Sequence, residues 1–373
     1  MADPNILDEL KEMGLNIFTT ANNHSMDYGH GGLLATCDNL KERDMVYSGT
    51  GENLYEASKA CYLETGKARV ALISLTTDFH DSDIAGPQGP VMSGRPGLNV
   101  LRSSTTYHVT AEYFEMLGKI ADETKMNAYL LYGIQLGYAK PLPEGKLAFG
   151  NQRFVKDTKN YVESKPNEAD LKRVVAEIQE AKRQADYVMV SIHCHNFSST
   201  DFNRVPEYVE TFAHACVDAG ADTILGHGPH ELRAIEIYKE KPIFYSLGNF
   251  FFQTENVEMQ PAEAYIDKNF PPDTKVGEYM CQRSANGTRG YAVQPPIWYS
   301  VIPEWTVEDG KVSEIKLYPI TLGMKLPRSR KGAPEFVKDD PAFSAEIFDH
   351  LKDLCKPYGT EVTVKGNVGI IKL

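Results

Sequence analysis

Three short polar clusters hold most of the residues in this sequence that could do chemistry. Asn22, Asn23 and His24 follow the apolar run 17–21. His193, Cys194, His195 and Asn196 follow the run 188–192. His227, Gly228, Pro229 and His230 follow the run 223–226. Five of the ten histidines fall in these clusters. Imidazole is the commonest metal ligand, and an Asn oxygen can complete the shell of a borderline or hard divalent ion. In open α/β sheets, ligands bind beyond the carboxyl ends of the strands, so three exits from one sheet would gather these clusters. On an extended chain His193 and His195 point to the same side. The Gly-Pro turn can aim His227 and His230 at one point. Any one of these histidines alone reads as a capping or core residue; jointly they predict a divalent-metal site at the strand ends.

Neighbouring signals are weaker. Asp27 is expected to cap the helix that follows His24. Cys194 reads as a small buried hydrophobe rather than a nucleophile, because no papain-like motif surrounds it. The segment Gly49, Thr50, Gly51 lacks the third glycine of a dinucleotide fingerprint, and no P-loop is present. Two sequons, at Asn196 and Asn286, are assigned no role. Lys325, Arg328, Arg330 and Lys331 form a cationic stretch that reads as a solvated loop, or as a contact to an anionic substrate.

The elements that must position these residues alternate. Helices are expected over 4–13, 33–43, 168–183 and 208–219, the last ended by Gly220. Strands are expected over 16–21, 187–192 and 223–225. Hairpins are expected at 60–63 with 68–75, at 232–238 with 243–246, and at 298–305 with 312–319 around Asp309-Gly310. This alternation predicts an α/β layered fold with added antiparallel strands. The stretch 79–165 is rich in Gly, Pro, Ser and Tyr, with one clear helix near 111–124, and reads as an insertion or cap. A second stretch, 255–296, reads as an irregular loop region, and 297–373 as strands and a helix that complete a single domain.

The 373 residues carry 39 Lys and Arg against 51 Asp and Glu, a formal charge of −12. That balance argues against nucleic acid as a partner and against general attraction to anionic membranes. With 42% hydrophobic and 24% charged residues, the chain is globular. The longest apolar run, near 242–252, is far short of the roughly 20 residues that span a bilayer. Residues 1–5 have neither the basic nor the apolar region of a signal peptide, so the chain as written is expected to be soluble and without an address. The six cysteines include no CxxC and read as free thiols.

At these same residues the sequence resembles the CapA/PgsA-type proteins of capsule and poly-γ-glutamate biosynthesis. Residues 21–29 look like that family's asparagine-histidine signature, followed by its helix and the segment 48–51. Residues 94–97, 190–193, 218–230 and 241–250 look like further family segments. The resemblance implies a fold similar to calcineurin-like metallophosphoesterases: a layered β-sandwich flanked by helices, with a two-metal site at its edge. It further implies Asn23, His193, His227 and His230 as metal ligands, and His24 as a general acid or a contact to the transferred group. His195 stands where the family often has glycine, so an extra ligand or a substrate contact is expected there. The ions would be Mn, Zn, Fe or Mg, acting by water activation. The implied partners are an anionic polymer or peptide substrate and a membrane-associated polymer synthase complex. Relatives are often anchored at the outer face of the cytoplasmic membrane. The implied activity is that of a metal-dependent hydrolase or transferase; a non-catalytic polymer-binding component and a metal-dependent peptide epimerase are the alternatives. The family also carries a Gly-Asp strand and an Asn-Leu-Glu segment that would lie upstream of Met1. The chain is therefore expected to begin inside the family domain, with an exposed sheet edge and one metal position lacking its bridging carboxylate.

Overall fold

The strand Tyr187–His193 is apolar or small at nearly every position, as a strand covered on both faces must be. It pairs in parallel with Arg69–Thr76 on one side and Thr223–His227 on the other. Lys241–Phe244 continues the parallel set. Antiparallel strands close both edges: Ile235–Tyr238 beside Lys241–Phe244, and Cys61–Glu64 beside Arg69–Thr76. The result is a six-stranded mixed sheet. This computed structural model describes residues 3–198, 201–254, 257–266 and 268–373.

Two carboxylates, one of them buried, hold the parallel strands in register. Asp222, 3% exposed, accepts the Val188 N–H at 2.9 Å and the ammonium groups of Lys182 and Lys241. Asp186 accepts the Arg69 N–H at 2.7 Å. The helix Glu168–Lys182 contributes buried Val174, Ile178 and Ala181, the apolar face its periodicity predicts. Glu177 on that helix accepts the Ala60 N–H, tying the helix to the edge strand.

A second, five-stranded antiparallel sheet is built from Tyr299–Glu308, Lys311–Thr321, Glu335–Phe336, Thr363–Lys365 and Val368–Lys372. Asp309 and Gly310 both adopt positive φ, as the tight hairpin turn demands. Trp305 joins the two sheets: its ring stacks on Phe244 at 5.6 Å, and its N–H donates to the Tyr187 hydroxyl. The helix Pro341–Cys355 is capped by Asp340 and buries Ile347, Phe348 and Leu351. The expected α/β class, with layered multi-strand sheets, is what the chain adopts. The short strand Ile17–Thr19 pairs in parallel with Val46–Ser48 as a separate ribbon.

By internal contacts the chain divides into two units. One comprises Met1–Val100, Val174–Asn196 and Ala215–Leu373; the other comprises Leu101–Arg173 and Phe197–His214. The second unit carries more regular structure than its composition suggests. Besides the expected helix, seen at Ala111–Glu123, it has a helix Ala128–Gln135. It also has a four-stranded sheet of Lys146–Phe149, Gln152–Lys156, Ser103–Val109 and Tyr161–Pro166, in that order. These strands escape a periodicity search because they are short, and their lysines, serines and tyrosines blur the alternation. The stretch 255–296 holds the helices Ala262–Ile266 and Val276–Arg283 and two short 3-10 turns, with 255, 256 and 267 outside the described residues. No helix among the described residues is long and apolar enough to cross a membrane.

Replacing Asp222 by Ala leaves the buried Val188 N–H without an acceptor. This should lower stability by about 1–3 kcal/mol with an unchanged urea m-value. Asp222→Asn should recover part of the loss, and an unaltered midpoint in the alanine variant would place the register control elsewhere.

Candidate functional site

Four parallel strands deliver their carboxyl ends to one edge of the six-stranded sheet. In-register pairing sets His193 directly beside His227, with Thr76 on its other side. The two imidazoles meet Nδ1 to Nδ1 at 3.0 Å, with ring centres 5.0 Å apart. The other nitrogen of His227 lies 3.0 Å from the Ser191 hydroxyl. Two residues on, His195 places its ring 4.9 Å from His193, the same-side geometry expected of an extended segment. His230 completes the row, 5.4 Å from His195. The structure therefore brings four of the five predicted histidines into one contiguous group.

The turn between His227 and His230 is tightly specified. Gly228 has φ +126°, and a Cβ there would lie 2.9 Å from the Cys194 backbone. His230 itself sits in the left-handed region, at φ 65°. It is held by Asn249, whose amide N–H groups donate to the carbonyls of His230 and Ile297. That fixes Asn249 Oδ1 as the acceptor facing His230 Nδ1, at 2.9 Å. His230 must then donate from Nδ1 and keep its lone pair on Nε2.

Burial controls the charge of the group. Desolvation, reinforced by the neighbouring imidazoles, pushes His193 down to about 2. Desolvation likewise pushes His227 down to about 4. His195 is also lowered by burial, against the opposing pull of Asp78. Neutral imidazole is the form that ligates cations. Two buried nitrogens, His193 Nε2 and His195 Nε2, have no hydrogen-bond partner. In the tautomer where His227 donates to Ser191 and His193 donates to His227, His193 Nε2 is a bare lone pair. These donors fit a borderline divalent ion. Among the described residues, however, no three His, Cys, Asp or Glu side chains stand ready around a single ion. The His193–His227 hydrogen bond occupies one nitrogen of each ring.

Asn23 and His24 come from the turn after Ile17–Thr19, and both side chains are exposed. His24 Nδ1 contacts Asp27 Oδ2 at 3.0 Å, and the Asn23 amide is 3.4 Å from His24 Nε2. The charge of His24 acts on both His193 and His195. Asp27 corrects an expectation: the helix begins at Gly29 with Tyr28 at the cap position, so Asp27 lies too early to cap. It orients His24 instead. His24 and Asp27 also line a cavity of about 790 Å³, with Thr19, Thr20 and Leu33. Cys194 is buried, as expected of a packing residue, and the six cysteines are free.

Several residues escaped the sequence reading. Asp78 accepts the His195 N–H at 2.9 Å, just past the exit of Arg69–Thr76. Asn249 follows Lys241–Phe244 in the same way. Both sit at strand exits, so the rule that flagged the histidines would have found them had it been applied to every strand. Phe252 and Tyr291 pack their rings 5.2 and 5.8 Å from His230 and form an apolar flank. Of the cationic stretch, Lys325, Arg328 and Arg330 are exposed, whereas Lys331 lies over the Trp298 ring at 4.6 Å.

The family described as "Bacterial capsule synthesis protein PGA_cap" matches residues 1–254, a range that contains every histidine of the group, and the chain belongs to that family. An uncharacterised protein, y4sH of Sinorhizobium fredii, is 34% identical over 99% of this chain and 79% of its own length. The capsule biosynthesis protein CapA of Bacillus anthracis is 28% identical over 65% of this chain and 41% of its own length. The PGA biosynthesis protein CapA of Bacillus subtilis is 27% identical over 65% of this chain and 44% of its own. The chain thus spans less than half the length of those two relatives. A Staphylococcus aureus protein described as a candidate 5'-nucleotidase, solved with α-ketoglutarate, aligns with 94% of this chain and 44% of its own at 12% identity and a TM-score of 0.32, too slight a likeness to define the fold.

His193 and His227 titrate below the ordinary 6.5 in the folded chain, so the unfolded chain binds more protons in acid. In chelator-treated protein their stabilisation should be complete above about pH 6.5. It should fall by about 1.4 kcal/mol per pH unit for each ring as acid is added, His227 ceasing to contribute near 4 and His193 near 2. Urea titrations at several pH values check this, and a His193→Gln variant with an undiminished slope would contradict it.

Proposed function

We propose that this chain is a metal-dependent hydrolase or transferase acting in capsule or poly-γ-glutamate assembly, on an anionic polymer or peptide. Membership of the capsule synthesis family and the names of the two Bacillus relatives support the biological setting. The observation that carries the chemistry is the contiguous row of four imidazoles, in which the buried Nε2 atoms of His193 and His195 have no hydrogen-bond partner. In this reading His193, His227, His230 and Asn23 hold divalent metal of the Mn, Zn, Fe or Mg class. When bound, the metal supplies Lewis acidity and an activated water.

The chain's own residues do the rest. Asn249 fixes the tautomer of His230 and so aims its lone pair. Asp27 orients His24, whose Nε2 side faces the group being transferred and delivers or accepts a proton there. His195, anchored through its backbone by Asp78, offers a substrate contact beside His193. The rings of Phe252 and Tyr291 exclude water on the flank of His230. Association with a membrane-bound polymer synthase belongs to the same proposal.

One observation favours a second reading, a non-catalytic component that holds an anionic polymer. The carboxylates beside the imidazoles are already engaged, Asp78 with His195 N–H and Asp27 with His24. With those two carboxylates occupied, imidazole N–H groups of the row could also face an anion.

Equilibration with Mn or Zn followed by desalting and elemental analysis separates the two. The metal-dependent reading expects bound metal in the native chain and loss of most of it in His193→Ala and His227→Ala. Polymer binding that survives chelator, with no metal retained, would support the second reading instead. Deuterium uptake from solvent at a peptide Cα would point to an epimerase.

A further inference from the structure

We propose that the Leu101–Arg173 unit carries a self-association surface, and that a second copy of this chain covers it. The helix Ala128–Gln135 contains no charged residue, yet none of its residues is buried. Tyr129, 90% exposed, with Tyr132 and Leu136, follows the i, i+3, i+7 spacing of one helical stripe. The preceding helix, Ala111–Glu123, repeats the pattern: Tyr113, Met116 and Ile120 have the same spacing and are all exposed. Its inward side is a different one, marked by buried Ala121. The apolar stripe is thus surplus to the unit's own core.

Position along the fold holds the two helices in place. Asn127, between them, donates to the Ala148 carbonyl and accepts the Gly150 N–H, pinning the junction to the four-stranded sheet. Spacing of this kind is what helices use to pair with other helices. At the ~150–250 Å² an aromatic side chain can bury, the six residues offer roughly 600 Å². Counted together, the two stripes supply most of the ~800 Å² each partner gives a stable dimer.

The chemistry of the stripe favours a copy of the same chain. A two-fold interface sets one patch against itself, so any charge on it would meet its like. The six stripe residues are uncharged, in a chain of net charge −12. Glu112, Lys119 and Glu123 flank the stripe of the helix Ala111–Glu123 on one side, where they would form a solvated rim. The same acids disfavour an anionic lipid surface.

Sedimentation equilibrium on the full chain tests this. The expected mass is twice 41.6 kDa. Met116→Glu with Tyr132→Glu should raise the dimer dissociation constant at least ~30-fold, the effect of one hot spot. Tyr129→Ser with Tyr132→Ser, at exposed positions that the fold does not need, should weaken it in the same direction. Circular dichroism confirms that each variant is folded. A native chain that stays monomeric at its solubility limit would overturn the proposal, as would a dimer indifferent to both variants. A monomeric chain that sediments with phosphatidylcholine vesicles would overturn it in favour of a lipid surface.

Discussion

Parallel pairing of His193 with His227 is the contact on which the candidate site depends. In a parallel ladder, residues in register stand side by side on the same face, so two imidazoles at matched positions touch without help from any loop. A slip of one residue would send one ring to the opposite face of the sheet. The Asp222 carboxylate guards against that slip from the far end of the strands, where it grips the Val188 N–H and two ammonium groups. Register, set at the start of each strand, becomes chemistry at its end.

Burial then decides what the imidazoles can be. A histidine in water titrates near neutrality; withdrawn from water and crowded together, His193, His195 and His227 are pushed toward the neutral form. A neutral ring keeps one nitrogen lone pair. The long-range field of an acidic chain does not change this, because local desolvation outweighs distant charge. His24, in the turn that follows a separate two-stranded ribbon, is open to solvent and pairs with Asp27.

Much of this was legible in the sequence, for a definite reason. Strand exits are marked by a sharp change from apolar to polar residues, and the three histidine clusters each sit at one. The helices at 168–182 and 207–219 announce themselves by periodicity, and the Asp309-Gly310 turn by its residue types. What stayed hidden depends on tertiary placement. Asp27 looks like a helix cap until the helix is seen to start at Gly29. Tyr291 lies in a stretch without periodicity, and only the folded chain shows it against His230. The four-stranded sheet around Ser103–Val109 was missed because its strands are short and mixed in composition. Asn249 lies beyond a strand exit as the histidines do, but its part in holding His230 shows only in its three side-chain hydrogen bonds.

Gly228 carries an implication for motion. With no space for even one methyl carbon, its Cα rests on the peptide of Cys194, so two turns more than thirty residues apart are in direct steric contact. Thermal drift of one turn must displace the other. The inter-ring spacings of the four imidazoles are thereby insulated from loop breathing, and the site owes its rigidity to the absence of a side chain.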